Sequence, residues 1–423
     1  MIIWVVIGFI FFLLIGIPIA FVLGLAPSIA IIGKGIPITI IVQKMFTSTD
    51  SFILLAIPLF ILAGNLMAEG GVTRRLTDFS KVVVGYISGG LALVTVLTSM
   101  GVAAITGSAV ATAAAVGSIM IPSMVKNGYK KDFASAVVAA SSIMGPIIPP
   151  SIPFILYGVL ANVSIASLFL GGIIPGILLG VSMAVIIWVY ARRHNFPREK
   201  PPTFLEFLSS FVKALPPLGM PLLVLGGILA GIFTPTEAAV IAVIYAFILG
   251  LIYRELKLDK LLKIFSDSAI SSSLVMIIIS TSSIFGWLLA SERIPQQVAA
   301  LFLSITNNPY LTLLMINVLL LFVGTFMETS ASIVILTPVL LPLITLLGIS
   351  PLHFGVVMSV NLVIGLVTPP LGVALYICCA MGKVTLEEIT KRVWPFILSS
   401  IVVLMLVTYI PSLVTFLPTV LGK

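Results

Sequence analysis

A proline-broken stretch inside a long apolar run constrains this fold more than any other part of the sequence. The stretch is GPIIPPS at 145–151, and no charged residue occurs between Phe133 and Ala191. Proline donates no backbone hydrogen bond and clashes with the carbonyl four residues earlier, so Pro149 frees the carbonyl of Gly145. Because a bilayer core offers no water, a freed carbonyl survives there only beside protein or a water-filled cavity. The stretch therefore predicts an interrupted membrane helix.

The same pattern occurs again as GLVTPPL at 365–371, displaced by 220 positions. Prolines can recur in apolar helices by chance, but here other residues with special backbone roles also coincide over roughly 30 positions. We therefore predict an internal duplication that covers most of each half. The pairs at displacements of 220 or 222 are Pro122 with Pro342, Gly128 with Gly348, Val137 with Val357, Gly145 with Gly365, Pro149-Pro150 with Pro369-Pro370, Gly64 with Gly286, Ala68 with Ala290, and Val72 with Ile294.

The composition is that of a polytopic membrane protein. Hydrophobic residues make up 60% of the chain, charged residues make up 9%, and the mean hydropathy is +1.28. Soluble domains carry about 25% charged residues, so a large soluble core is excluded. The net charge of +8 comes from short basic clusters between apolar runs, which indicate membrane topology and not nucleic-acid binding.

Several catalytic and metal-binding classes lack their sequence motifs in this chain. It has no Walker glycine-lysine loop, no His-Glu-x-x-His motif and no Gly-x-Ser-x-Gly elbow. The adjacent Cys378 and Cys379 fit neither a disulfide framework nor a transition-metal site. We therefore predict a protein that is not an enzyme and that uses no organic cofactor.

Hydrophobic runs of suitable length predict a series of membrane spans and two hairpins. The N-terminus lacks a basic leader and a cleavage site, so residues 1–25 are expected to form a retained first span. An amphipathic stretch from Thr203 to Val212 opens with a capping-box pattern and is expected to lie in the membrane interface. The candidate spans are 2–25, 28–46, 52–69, 133–160, 166–191, 215–233, 237–253, 270–290, 352–381 and 393–417, and the hairpins are 87–125 and 309–349.

The positions of lysine and arginine predict the orientation of these spans. If each span crosses once, 18 of the 22 basic residues lie on one side, which should be cytoplasmic, and both termini lie outside. The broken helix at 133–160 then runs outward, and its counterpart at 352–381 runs inward. The matched segments 72–83 and 294–305 differ as this inversion requires, because only the first carries arginine or lysine. The basic residues on the other side are Lys34, Lys44, Arg293 and Lys423.

Both hairpins have polar midpoints, at 106–108 and 328–330, and the displacement of 220 carries Ser108 onto Glu328. Inverted repeats with interrupted helices are typical of secondary transporters, whose ligands bind near the midplane at the repeat interface. We therefore predict re-entrant hairpins whose polar tips meet the broken helices. Two full spans joined by a small turn are the alternative.

The tips and the helix breaks both expose backbone groups that can bind ions. The N-termini of half-helices suit a carboxylate, and their C-termini and unwound carbonyls suit Na⁺. Hydroxyls at these positions could instead hold helices together, Glu328 could merely lie near water, and Asn361 could cross-link helices. The predicted sodium-binding residues are Gly107, Ser108, Thr112, Gly145, Pro149, Thr329, Gly365 and Thr368. The predicted substrate-binding residues are Ser108, Ser142, Ser151, Glu328, Thr329, Ser330 and Asn361.

Four stretches together form a specific signature, although each alone is not specific. They are TGSAVATAAAVGSIMIPSM at 106–124, MGPIIPPSIPFILYGV at 144–159, FTPTEAAV at 233–240 and GLVTPPLGVALY at 365–376. With them, essentially the whole chain resembles the large membrane subunit (M, DctM-type) of tripartite ATP-independent periplasmic, or TRAP, transporters. The family often has aspartate where this chain has Glu328, a longer acid, which leaves the size of the substrate open.

The resemblance implies a bacterial inner-membrane permease with two protein partners. These are a small four-helix membrane subunit (Q type) and a periplasmic substrate-binding protein (P type), each expected as a separate chain. The resemblance also implies uptake of an organic acid, such as a C4-dicarboxylate or sialic acid, with Na⁺ as the coupling ion. The hairpin-bearing domain is expected to move against a scaffold as an elevator.

The expected fold is an all-α polytopic membrane protein with inverted-topology repeats, two re-entrant hairpins and two broken helices, as in elevator-type ion transporters. The alternatives for its function are a stand-alone ion-coupled carboxylate transporter or, in another class, a membrane-embedded enzyme or scaffold. The expected segments are 1–70 (scaffold helices), 71–165 (first half of the transport domain), 166–270 (scaffold helices and interfacial arms), 271–385 (second half of the transport domain) and 386–423 (C-terminal scaffold helix).

Overall fold

The computed structural model describes residues 2–194, Phe196 and residues 201–422, and every regular element in this part of the chain is a helix. Lys423, one of the basic residues assigned above to the outer side, lies outside the described residues. A short 3-10 turn, Phe52–Leu55, precedes α4. In chain order, α1 to α20 are Ile2–Leu14, Ile19–Gly33, Thr39–Thr49, Ala56–Glu69, Val72–Val84, Gly90–Thr106, Ala109–Lys126, Lys131–Ser142, Ile152–Ala161, Ile165–His194, Phe204–Leu229, Pro235–Ile252, Leu258–Ser291, Ile294–Ile305, Pro309–Gly324, Thr329–Leu346, Pro351–Gly365, Val373–Gly382, Leu386–Tyr409 and Ser412–Val420.

The helix lengths fit a protein that crosses a membrane several times. Among the described residues, eight helices are long and apolar enough to span a bilayer. The longest, α13, has 34 residues. At 1.5 Å per residue it is about 51 Å long, which exceeds the hydrocarbon core of about 30 Å. The predicted all-α polytopic class is therefore confirmed.

The helix boundaries confirm the internal duplication. Both ends of α16 lie 220 positions after the corresponding ends of α7, and α14 begins 222 positions after α5. The turns that follow α7 and α16 also match, because Gly128 and Gly348 both have left-handed φ angles of 85° and 69°. Only glycine adopts this conformation without steric cost, which explains why the sequence repeat is visible at these positions.

Both proline-broken stretches interrupt a helix, as predicted. The first break separates α8 from α9, and the second separates α17 from α18. Pro149–Pro150 and Pro369–Pro370 are both cis peptide bonds. Two helical hairpins accompany the broken helices: α6 and α7 turn at Gly107, and α15 and α16 turn at 325–328. Each half thus contains one hairpin and one interrupted helix.

The single spans predicted at 2–25 and 28–46 are wrong, because three short helices, α1 to α3, replace them. Gly16 and Gly35 lie between these helices with φ angles of 84° and 71°. Each glycine is followed two residues later by a proline. A left-handed glycine followed by proline ends a helix, and hydropathy alone does not register this signal.

Two further boundaries differ from the predictions at 203–212 and 393–417. The amphipathic stretch does form the predicted capping box between Thr203 and Glu206, but α11 then continues without interruption to Leu229. The prediction of a separate interfacial helix is therefore wrong. The last predicted span is divided at Pro411 into α19 and α20.

The first halves of the broken helices form the centre of the molecule. All residues of α8 from Phe133 to Ser142 are buried, as are those of α17 from His353 to Gly365. The two repeats contact each other directly here, because the Tyr157 hydroxyl of α9 donates a hydrogen bond of 2.8 Å to a carbonyl at the start of α17. Small residues such as alanine, glycine and serine permit this close approach of helices.

An ion pair fixes the start of α8 to two long helices. The Arg392 guanidinium on α19 donates hydrogen bonds of 2.7 Å to the Asp132 carboxylate and 2.8 Å to the Tyr190 hydroxyl on α10. Arg392 and Asp132 are both partly buried. The pair therefore connects the first repeat to the flanking helices at the end that carries the basic residues of the 126–131 turn.

Helix α13 packs against α2, α3 and α4, and the name scaffold helices is used below for these four helices. Near its start, Lys260 forms an ion pair of 3.7 Å with Glu69, and at its end Glu292 pairs with Lys34. Lys34 and Lys260 thus lie near opposite ends of α13, in agreement with the opposite membrane sides predicted for them. The predicted domain boundary at 270/271 falls inside α13, which continues to Ser291; the division into domains stays a prediction.

Candidate functional site

A cavity of about 500 Å³ lies between the two hairpin tips and the scaffold helices α2, α4 and α13. It contains the two predicted tips together, and residues of both helix breaks, Pro146 and Leu366, also line it. Among the predicted site residues, those that line it are Gly107, Ser108, Glu328, Thr329 and Ser330. The other polar lining residues are Asn65, Thr106, Asp267 and Ser271.

Four helix N-termini face this cavity. Ala109, Ile152, Thr329 and Val373 are the first residues of α7, α9, α16 and α18, and all four line it. The first N–H groups of a helix have no partner within the helix, and the helix dipole places partial positive charge there. The inverted duplication therefore directs two pairs of positive helix ends at one space, an arrangement that suits an anionic group.

The first tip is a compact group of oxygen atoms. The Ser108 hydroxyl accepts a hydrogen bond from the Ala111 N–H and so caps α7. One turn later, the Thr112 hydroxyl donates to the Ser108 carbonyl over 2.8 Å and lies 2.9 Å from the Thr106 hydroxyl. Carbonyl and hydroxyl oxygens are the ligands that a hard cation such as Na⁺ prefers.

Two glycines bring the first break against this tip. A Cβ added at Gly145 would lie 2.5 Å from the Ser108 carbonyl oxygen and 2.9 Å from the Thr112 hydroxyl. A Cβ added at Gly107 would lie 2.7 Å from the Pro150 carbonyl oxygen. Only residues without a side chain permit these distances, so the predicted sodium-binding residues Gly107, Ser108, Thr112 and Gly145 do lie side by side.

The second tip repeats this design with an acid in place of the serine. The Glu328 carboxylate accepts hydrogen bonds of 3.1 Å from the Ala331 N–H, which caps α16, and of 3.0 Å from the Ser330 hydroxyl. The Ser332 hydroxyl donates to the Glu328 carbonyl over 3.0 Å, as Thr112 does to Ser108 in the first tip. Ser332 is fully buried and was not predicted, although the displacement of 220 from Thr112 leads directly to it.

The second break packs differently from the first. A Cβ at Gly365 would overlap the backbone of Gly324 at the end of α15, so this break lies against the hairpin helix itself. The Thr368 hydroxyl, in the break itself, donates to the Ile364 carbonyl in the last turn of α17, over 2.8 Å. Thr329 is 2% exposed and lines the cavity, and its hydroxyl has no hydrogen-bond partner.

Eight predicted residues do not line the cavity: Thr112, Gly145, Gly365 and Thr368, described above, and Ser142, Ser151, Pro149 and Asn361. The buried Ser142 hydroxyl donates to a carbonyl of α8, and Ser151 caps α9 and donates to the Pro146 carbonyl. Pro149 lines a separate apolar cavity of about 350 Å³ beside α5, α6, α10 and α11. The Asn361 amide donates to the backbone and side-chain oxygens of Asn317 over 3.0 and 2.9 Å, which is the helix cross-link described above as the alternative.

Two polar scaffold residues in the cavity wall were missed from the sequence. Asn65 of α4 donates a hydrogen bond of 2.8 Å to Ser268, and Asp267 of α13 is exposed to the cavity. A polar residue within an apolar span indicates a functional position, and this signal marks Asn65 in the predicted span 52–69. Asp267 precedes the predicted span 270–290 and joins the wall because α13 begins at Leu258. Among the described lining residues, Asp267 and Glu328 are acidic, and none is lysine, arginine or histidine. The described residues contain no group of histidine, cysteine and acidic side chains that could hold a metal ion.

Comparison with known proteins places the whole chain in one family. A family model described as "Tripartite ATP-independent periplasmic transporter, DctM component" matches residues 6–413. The sialic acid TRAP transporter large permease protein SiaM of Vibrio cholerae is 38% identical over 413 residues, which cover 97% of both chains. The C4-dicarboxylate TRAP transporter large permease protein DctM of Pseudomonas aeruginosa is 41% identical over 380 residues, or 90% of this chain and 89% of that protein.

The isethionate TRAP transporter permease protein DctMQ of Oleidesulfovibrio alaskensis is 44% identical over 411 residues, and the chain spans 65% of its length. Among solved structures, the YdaH transporter of Alcanivorax borkumensis has a similar fold, with a TM-score of 0.62, 15% identity and coverage of 87% of this chain and 86% of that one. The resemblance noted in the sequence is confirmed, and the chain is a permease subunit and not an enzyme. It belongs to the DctM family of TRAP transporter large components, multi-pass proteins of the bacterial inner membrane.

Proposed function

We propose that this permease imports a small organic acid with Na⁺ as the coupling ion. The observation that carries the proposal is the cavity at which four helix N-termini meet the two hairpin tips. The N-termini supply partial positive charge for an acid group, and the tip oxygens around Ser108 and Glu328 supply ligands for a cation. The matching relatives are named for isethionate, sialic acid and C4-dicarboxylates, all of which are organic acids.

The candidate sodium sites follow the two tips. In the first, the Ser108 carbonyl and the Thr112 hydroxyl lie against Gly145, and in the second the Glu328 carbonyl is paired with the Ser332 hydroxyl. An ion bound between a tip and the adjacent break would hold the hairpin in place. Binding of Na⁺ would thereby complete the substrate cavity, which is a physical basis for coupled transport.

Removal of the tip hydroxyls tests these sodium sites. We expect Thr112→Val and Ser332→Ala each to raise the Na⁺ concentration for half-maximal uptake about tenfold, because each removes an oxygen that orders the tip. Thr77→Val on α5 is the matched control, since this buried hydroxyl also donates to a carbonyl four residues earlier but lies away from the cavity. An unchanged Na⁺ dependence in both tip variants, or an equal change in the control, would contradict the assignment.

An elevator motion is the proposed mechanism of transport. The second hairpin contacts the scaffold through apolar side chains, since Ala331 packs with Ala20, Leu23 and Ile278. Apolar contacts are not directional, so such a surface can slide with little loss of interaction. The two hairpins and two broken helices would move together and carry the ligand past α13.

We infer two protein partners from the family. The word "tripartite" in the family description indicates two further components, and we propose that these are a small membrane subunit and a periplasmic substrate-binding protein. The binding protein would deliver the organic acid to the outer end of the cavity. The small subunit would pack against apolar scaffold surface within the membrane.

Uptake by the reconstituted system tests the proposal as a whole. Proteoliposomes with the permease, its candidate small subunit and its candidate binding protein should accumulate a labelled organic acid only under an inward Na⁺ gradient. The test acids are isethionate, sialic acid and a C4-dicarboxylate. Uptake at full rate without Na⁺ would contradict the coupling, and uptake without a binding protein would favour the stand-alone transporter.

A further inference from the structure

The charge of the cavity wall restricts the kind of organic acid that the cavity can hold. Its described lining contains two carboxylates, on Glu328 of the second tip and Asp267 of the scaffold, and no basic side chain. Among the described residues, the positive potential that the protein itself supplies at this lining comes from helix N-termini, each equivalent to about half an elementary charge. We infer that the ligand carries one negative group and a hydrogen-bond donor, and that the cavity disfavours dianions; this inference rests on the proposed function.

The two tips differ in what they offer to a ligand. At the first tip the helix caps are neutral, because Ser108 caps α7 and Ser151 caps α9. At the second tip the Glu328 carboxylate already occupies the N-terminus of α16 and neutralises its partial positive charge. The acid group of the ligand is therefore expected away from the N-terminus of α16, and the N-termini of α7 and α9 are the pair with neutral caps at the first tip.

The second tip offers hydrogen-bond acceptors. Each Glu328 carboxylate oxygen receives one hydrogen bond in the structure, whereas an ionised carboxylate has about four acceptor positions. The neighbouring residue Thr329 is 2% exposed and lines the cavity, and its buried hydroxyl has no hydrogen-bond partner among the described residues. A buried hydroxyl without a partner is costly, so this one favours a position for a polar ligand group nearby. A hydroxyl or ammonium group of the ligand satisfies Glu328 and Thr329 together.

Asp267 extends the same selectivity to the scaffold wall. It lies one helical turn from Ser271 on α13, and both side chains line the cavity opposite the tips. A second carboxylate on the ligand would lie between Asp267 and Glu328 and be repelled by both. A cation, in contrast, is attracted from either direction.

Charged thiol reagents measure the electrostatic potential of the cavity, and the experiment does not require the substrate to be known. The purified full chain with Cys378→Ala and Cys379→Ala receives one new cysteine, either Ser271→Cys in the cavity or Asn307→Cys in the exposed turn before α15. Two methanethiosulfonates of similar size are compared, one with a trimethylammonium group and one with a sulfonate. Relative to Asn307→Cys, we expect the ratio of cationic to anionic reaction rate to be about fivefold higher at Ser271→Cys.

Variants that neutralise single acids test whether the cavity acids cause the higher ratio of cationic to anionic reaction rate. Asp267→Asn should lower the ratio at Ser271→Cys about threefold, and Asp78→Asn, an acid on α5 outside the cavity, should leave it unchanged. A ratio at Ser271→Cys equal to or below that of the turn control would overturn the inference. So would an equal effect of Asp267→Asn and Asp78→Asn.

Protection of Ser271→Cys from the reagents then tests the ligand class. Three four-carbon acids are compared in NaCl: succinate, 4-hydroxybutyrate and 4-aminobutyrate. We expect the two monocarboxylates to protect at about fivefold lower concentration than succinate, and Glu328→Gln to remove this difference. Stronger protection by succinate would overturn the ligand class. Absence of protection by all three acids, with the rate ratio as expected, would contradict the proposed substrate site but support the charge selectivity.

Discussion

Gly145→Ala is expected to reduce transport about a hundredfold, since a displacement of about 1 Å in a binding site has effects of this size. The added Cβ would lie 2.5 Å from the Ser108 carbonyl oxygen, 2.7 Å from its carbon and 2.9 Å from the Thr112 hydroxyl. These are backbone atoms and a short side chain, so the tip itself must move. Gly145 has no left-handed φ angle, and the backbone therefore accepts alanine apart from this contact.

The measurement is Na⁺-driven uptake into proteoliposomes at equal amounts of folded permease. Gly226→Ala on α11 is the matched control, because nothing lies within 4 Å of a Cβ at that position. Alanine should even stabilise α11 there by about 0.5–1 kcal/mol. Transport near the wild-type rate in Gly145→Ala would mean that the tip tolerates displacement, and the sodium site would then have to lie elsewhere.

Much of the inverted design could be predicted because it rests on residues with special backbone roles. Prolines end or interrupt helices and glycines permit left-handed turns, so Gly128, Gly348 and the two diproline pairs show the duplication in the sequence itself. The helices α7 and α16 lie 220 positions apart at both ends for this reason. The short N-terminal helices were predicted wrongly, because hydropathy is continuous across the glycines that separate them.

The site was less predictable, because it depends on which surfaces pack together. Gly145 and Gly365 are equivalent in the sequence, yet the first contacts the tip oxygens and the second contacts the backbone of Gly324. Asp267 belongs to a helix whose first turns carry lysines, and only the fold places it opposite the tips. Asn361 is polar and central, but its partner is Asn317 and not the cavity. The spacing of prolines and glycines in the sequence identifies which backbone groups are exposed. The packing of the helices determines which side chains lie next to those groups in the cavity.

Replacement of Glu328 by alanine has the second large expected effect, a loss of transport of tenfold or more at a stability cost of about 1 kcal/mol. The carboxylate caps α16 through the Ala331 N–H and also receives the Ser330 hydroxyl at the cavity wall. Its removal leaves the helix start uncapped and the second tip without its acceptor. Glu328→Gln retains a capping oxygen without the charge. We therefore expect its transport rate to lie between those of the wild type and Glu328→Ala.

Glu206→Ala separates the cap from the site. Glu206 also caps a helix start, through the Thr203 N–H in the capping box of α11, but it does not line the cavity. Both alanine variants should therefore lower the melting temperature, since each loses a side-chain acceptor at a helix start. Only Glu328→Ala should lose transport per folded molecule. If the two variants lose stability equally and both retain transport, Glu328 acts as a structural cap, and the second tip must bind its ligand through Thr329 and the backbone alone.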